Sequence, residues 1–260
     1  MRWKAIGQSI KGTSHEQVNK CCEDALRFDL VMTPLDEEVL ICCASDGAGS
    51  AKFAQAASSF TVETIVLLLS SCVKEGKIID ETRVRFILET VYDGLSEQAN
   101  SNDVSKNEYS ATCLGAVLFS DKAVFFQIGD GVMTREDSSG YYSAVFWPDN
   151  GEYLNDTRFL IDDINFPFLR FKLIEECINE LSIVTDGLQG LILNQQAQSI
   201  HQPFYKDLFK WLRLASDRAH LQILDKKLTE FLNSWSVNQR TDDDKTLLLA
   251  TRLQDASHAI

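Results

Sequence analysis

The sequence predicts an α+β fold. Short apolar runs come in groups joined by brief turns, two long helical segments interrupt them as a block, and a last apolar run returns only after a second helical block. A parallel β-α-β chain would instead alternate one helix with each strand. The first clear run, Glu38 to Ala44, reads as a buried strand ending at Ser45-Asp46-Gly47. After Gly49-Ser50 the pattern changes to a helix over about Ala51 to Val73, rich in Ala, Ser and Leu. A second helix, about Glu81 to Ala99, carries Val84, Ile87, Leu88, Val91 and Leu95 at helical spacing. Asn100 to Asn107 is polar and reads as a loop.

Thr112 to Phe119 and Lys122 to Ile128 form a hairpin about Ser120-Asp121, and Gly131 to Arg135 and Tyr141 to Phe146 another about Asp137 to Gly140. Leu181 to Thr185 is a further strand ending at Asp186-Gly187. Leu188 to Trp235 reads mostly as helices, and Lys245 to Thr251 closes the pattern with one more strand. Trp147 to Lys172 has no readable period. Without repeats or a Pro/Gly-rich linker, residues 1–260 are expected to form a single domain with a helical insert at about 189–238.

Composition narrows the function. The 260 residues carry 38 acids against 25 bases, a net charge of −13, with no Lys/Arg-rich stretch. Nucleic acid, which needs a basic footprint, and anionic membranes are excluded as expected partners. The start lacks the apolar core of a secretory peptide, and the Thr64 to Leu69 run is too short to span a bilayer. Seven cysteines without a C-x-x-C pair read as reduced thiols of a cytoplasmic protein.

The chemistry lies in acids placed where an apolar run meets a turn: Glu23-Asp24, Asp46-Gly47, Asp186-Gly187 and Asp242-Asp243-Asp244. Strand ends project side chains to the rim of a sheet, where such carboxylates can converge. A following Gly allows close backbone approach and offers its carbonyl as a further oxygen donor. Converging carboxylates need a compensating cation, and oxygen ligands without His or Cys suit Mg²⁺ or Mn²⁺ better than Zn²⁺. Two such ions can lower the pKa of a water held between them. Each Asp-Gly pair alone is compatible with a simple turn, and a triple Asp with a solvated loop; their order gives them weight.

In that order the chain resembles the metal-dependent protein phosphatases of the 2C type. Cys22-Glu23-Asp24-Ala25 is similar to the family's N/C-[EQ]-D-A element and Ala44 to Gly49 to x-x-D-G-x-G. Ser110 to Ala116 resembles the S-G-T-T-A strand, and Gln127 to Gly131 the G-D-S element. Val184 to Leu188 resembles [ST]-D-G-[LIV], and Asp243 to Leu247 the terminal D-[ND]-x-T. The match runs from Gly7 to about Leu253, and Ser14-His15 points to a bacterial branch.

The resemblance implies two antiparallel sheets packed face to face with helices outside each, an α-β-β-α sandwich. It implies hydrolysis of phosphoserine and phosphothreonine in proteins that serine/threonine kinases modify, by a hydroxide bridging two Mn²⁺ or Mg²⁺ ions. Asp46 would bridge the ions with the Gly47 carbonyl completing one; Asp186 and Asp243 would bind the other; and Asp24, with Glu23, would hold waters or touch a metal. Asp130 and Asp244 are further possible ligands. A cysteine nucleophile in a phosphate-cradling C-x5-R loop is not expected.

The chain departs from the family in four places. No Arg precedes Glu23-Asp24 between Lys11 and Cys22, which leaves His15 and Lys20 as candidate phosphate contacts, with Arg2 farther upstream. Ala48 stands where some members have a His. Gly190 replaces an acid of a third metal site, and Gly131 replaces the G-D-S serine. Two other readings stay open: a catalytically weak relative that binds a phosphoprotein partner, and an unrelated two-metal hydrolase.

Overall fold

A computed structural model describes residues 3–147 and 157–253. In chain order its first elements are β1 (Trp3–Ile10), α1 (Thr13–Gln17), β2 (Asp24–Met32), β3 (Glu38–Asp46), α2 (Ala54–Lys74) and α3 (Glu81–Ser101). There follow β4 (Cys113–Leu118), β5 (Ala123–Ile128), β6 (Val132–Glu136), β7 (Tyr142–Ala144), β8 (Arg170–Ile174) and β9 (Glu180–Val184). The remainder comprises α4 (Gln189–Ile192), the small hairpin β10 (Leu193–Asn194) and β11 (Ser199–Ile200), α5 (Gln202–Arg213), α6 (Arg218–Leu232), α7 (Trp235–Asn238) and β12 (Lys245–Arg252).

Two five-stranded antiparallel sheets result, in the orders β1-β12-β9-β6-β7 and β2-β3-β4-β5-β8. Strand alternation sorts their side chains into layers. Leu40, Cys42 and Ala44 of β3 and Leu114 and Ala116 of β4 meet Met133, Leu181, Ile183, Leu248 and Ala250 of the other sheet. The intervening Val39, Ile41, Cys43 and Val117 face α2 and α3, against Ile65, Leu69, Leu88 and Val91. Val132, Val184, Leu247 and Leu249 face α5 and α6, against Tyr205, Phe209, Leu224 and Leu228. Each such aliphatic side chain removed from water contributes about 1.5–3 kcal/mol. The four layers are those the resemblance implied.

Helix α2 is long and apolar enough to cross a membrane on length and hydropathy alone, yet its apolar face is buried on β2 and β3. Helix α3 begins at Asp80, whose side chain accepts from Arg83 N at 2.8 Å, a cap contributing about 1 kcal/mol. Five strands escape the reading of apolar runs, among them edge strand β2, whose exposure alternates irregularly. Edge strand β1 has mixed polarity, β8 begins in the unreadable Trp147 to Lys172 stretch and runs past its end, and β10 and β11 sit in a segment read as helical. Arg2 and residues 148–156 of that stretch lie outside the described residues.

Candidate metal centre

Three acids from three strand ends converge. Asp46 closes β3, Asp130 follows β5 and Asp186 follows β9, and one carboxylate oxygen from each lies within 4.8 Å of the other two. Their backbones are braced from both sides. Thr112 N donates to Asp46 O at 2.8 Å, and Asp46 N donates to Thr112 Oγ1 at 2.9 Å. Gln127 Nε2 donates to the carbonyls of Gly129 and Gly131, and Gln189 Nε2 to that of Asp130. Thr157 Oγ1 donates to Asp130 Oδ2 at 2.7 Å, while the buried Asp130 Oδ1 has no hydrogen-bond partner among the described residues.

Asp24 lies opposite Asp46 in the β2-β3 ladder. Its Oδ2 accepts from Thr185 Oγ1 and Thr246 Oγ1, each at 2.7 Å. The threonines of the [ST]-D-G and D-[ND]-x-T motifs therefore serve one buried carboxylate 161 and 222 residues away from them in sequence. Sequence spacing carried no sign of this.

Burial and crowding hold these acids toward the protonated form. Burial, reinforced by Asp24, Asp186, Asp243 and Asp130, pushes Asp46 up to about 11. Burial lifts Asp24 to about 7 against the pull of its two threonine hydroxyls. Burial and the charges of Asp130 and Asp243 lift Asp186 to about 6. A set of this kind is stable only when protons or a cation offset its charge. An all-oxygen donor set with an orphaned buried acceptor fits a hard divalent ion such as Mn²⁺ or Mg²⁺.

The triple aspartate divides into three environments. Asp242 is exposed and offers its carbonyl to Ser14. Asp243 accepts from Asp244 N at 2.8 Å and lies close enough to raise both Asp46 and Asp186, although it is not within the tight triad. Asp244 is buried, 3% exposed, and bonds Gly12, His15 and Glu23. Gly187 makes the approach of this loop possible, since a Cβ there would lie 2.0 Å from Asp244 O. Glu23 is buried and paired with Lys20 at 2.8 Å. Lys20 also donates to Gly49 O at 2.9 Å, and His15 Nδ1 sits 3.0 Å from Asp244 Oδ1. The two expected phosphate contacts are thus engaged with the protein itself.

The C-x5-R spacing does occur once, at Cys21 and Arg27. It forms no phosphate-cradling loop, because residues from Asp24 onward are extended and paired with β3. All seven cysteines are free, and burial together with Asp244 and Asp24 pushes the Cys22 thiol far up, away from the nucleophilic thiolate.

The protein phosphatase 2C sequence profile matches residues 11–233. The chain belongs to the protein phosphatase 2C family. It is 30% identical over 251 residues to serine/threonine-protein phosphatase 3 of Escherichia coli strain K12, covering 96% of this chain and 98% of that protein. Among solved structures, PppA of Pseudomonas aeruginosa aligns with a TM-score of 0.63 at 16% identity, over 96% of this chain and 98% of its own. The catalytic domain of the phosphatase PstP, in complex with two manganese ions, aligns with a TM-score of 0.63 at 12% identity, over 97% and 99%. These last two likenesses concern the fold. One departure from the phosphatase 2C pattern has a steric cause: a Cβ at Gly131 would lie 2.6 Å from Leu114 Cδ2 and 2.7 Å from Val184 O, so the family's serine does not fit between β4 and β9. Gly190, by contrast, has open space around its Cα.

Proposed function

We propose that Asp46, Asp130 and Asp186, with Asp243 and the Gly47 carbonyl, hold two Mn²⁺ or Mg²⁺ ions with which the chain hydrolyses phosphoserine and phosphothreonine in proteins that serine/threonine kinases have modified. The observation carrying this reading is the convergence of three carboxylates within 4.8 Å, one of which, Asp130, keeps a buried Oδ1 with no hydrogen-bond partner among the described residues. When bound, such ions supply Lewis-acid charge and lower the pKa of a coordinated water.

The side chains gather and place that charge. Asp46, within 4.8 Å of both Asp130 and Asp186 and paired with Asp24 in the β2-β3 ladder, would be the acid shared by the two ions. Asp24, gripped by two threonines, presents a fixed hydrogen-bond acceptor beside it. No step needs a covalent phospho-enzyme, in keeping with the protonated Cys22. We read the chain as one catalytic domain in which 189–238 is an insert, working in a reducing, cytoplasmic setting that suits its seven free thiols.

The test is hydrolysis of a small aryl phosphate with and without Mn²⁺. Turnover that appears with Mn²⁺ and disappears with chelator is expected; Mn²⁺ binding without turnover would instead make the chain a phosphoprotein-binding relative. The environments of the triple aspartate give a finer expectation. Asp243→Ala should cut Mn²⁺-dependent turnover by about 10²-fold or more, and Asp242→Ala should leave it near wild type. Equal losses in the two variants, measured by steady-state kinetics, would contradict the register.

A further inference from the structure

The segment between β1 and β2 does more than connect two sheets. It touches two acid-bearing loops, the one at Asp242 to Asp244 and the one that follows Asp46. Asp244 accepts from Gly12 N at 2.6 Å and from His15 Nδ1 at 3.0 Å on one oxygen, and from Glu23 N at 2.5 Å on the other. Ser14 donates to Asp242 O from its N at 2.9 Å and its Oγ at 2.7 Å. His15 Nε2 also lies 3.6 Å from Glu23 Oε2. Lys20 runs from Glu23 to the carbonyl of Gly49, just beyond Asp46-Gly47, and Gly47 N donates to Glu23 O at 3.1 Å.

Resting on the metal-site reading above, we propose that residues 12–23 form a clasp, closed by His15 on Asp244, that fixes the Asp243 loop for the second cation. Both oxygens of Asp244 are committed to the clasp, so the ligand of this pair is its neighbour. Asp243 is exposed and tied through Asp244 N; without the clasp its loop would have to be ordered when the ion binds, which weakens binding. His15 is therefore a positioning residue, acting on the metal through Asp244 and Asp243 and not on the phosphate. A hydrogen-bonding group behind a metal ligand typically sets about 10–100-fold of affinity.

The experiment compares wild type, His15→Ala, His15→Leu and His15→Asn. Mn²⁺ is titrated into metal-free protein by calorimetry, and aryl phosphate kinetics are measured at saturating Mn²⁺. In wild type two classes of Mn²⁺ site are expected. His15→Ala should weaken one class by about 10-fold or more and leave the other unchanged, with KM for the aryl phosphate unaltered. His15→Leu fills the same space without a donor and should behave alike, which keeps the test intact if the alanine variant does not fold. His15→Asn, whose Nδ2 can replace Nδ1, should recover most of the affinity. Unchanged Mn²⁺ isotherms in both donor-less variants would overturn the clasp. So would a raised KM with Mn²⁺ binding intact, which would place His15 on the phosphate. A wild-type protein that binds no Mn²⁺ would overturn the metal-site reading itself, a result distinct from either.

Discussion

Asp46→Asn is expected to abolish Mn²⁺-dependent phosphate release, by about 10³-fold, while raising the melting temperature of the metal-free protein. The two effects have one cause. Asp46 stands among Asp24, Asp130, Asp186 and Asp243 in a largely buried place, and its carboxyl is pushed up to about 11. The folded metal-free chain must keep a proton there that the unfolded chain releases near its ordinary value of 3.8, so at neutral pH folding has to take up that proton. Asparagine keeps the shape without this cost. Each 1 kcal/mol so recovered corresponds to about 2–4 °C in a chain of this size. The same carboxylate is the one best placed to join two cations, hence the loss of turnover. Thermal melts in chelator, paired with aryl phosphate kinetics, check both halves. A variant that keeps near-wild-type turnover, or melts lower without metal, contradicts the assignment.

The second large effect concerns pH. Asp24, Asp46 and Asp186 all have folded values above their ordinary ones. At these three acids the folded metal-free state therefore binds more protons than the unfolded state, and the stability they contribute is fully present only below about pH 4. It should fall as pH rises through about 6 and 7, by about 1.4 kcal/mol per pH unit for each proton retained. Saturating Mn²⁺ replaces those protons, so the melting temperature should become nearly flat over pH 5–8, and binding at pH 6 should release protons. Calorimetry in buffers of different ionisation enthalpy measures the release. A metal-free protein whose stability rises across this range would show that the carboxylates are already compensated within the fold.

The β3 to β5 and β6 to β7 strands and helices α2 and α3 were legible in the sequence because each buries a face with a regular period and meets a turn. Edge strands β1 and β8 were not, since a half-exposed strand such as Arg170–Ile174 mixes charge with apolar residues. Hairpin β10-β11 was hidden by its brevity. Asp46 and Asp186 were readable as acids at strand ends. Asp130 obeys the same rule, ending the Ala123–Ile128 strand through Gly129, and the structure sets it inside the triad where sequence reading left it a secondary possibility. The partners of His15, Lys20 and Asp24 were invisible for a different reason. A loop histidine whose acceptor lies 229 residues away leaves no periodic trace, and only the fold joins them. Gly131 shows the converse, a departure from the family that made sense only once Val184 O was seen against it.

Anomalous diffraction from crystals soaked in Mn²⁺ tests the central claim most directly. Two peaks are predicted, both within ligand distance of Asp46, with Asp186 and Asp243 on one of them. Peaks remote from Asp46, or two ions that both leave Asp243 and Asp186 untouched, would contradict it.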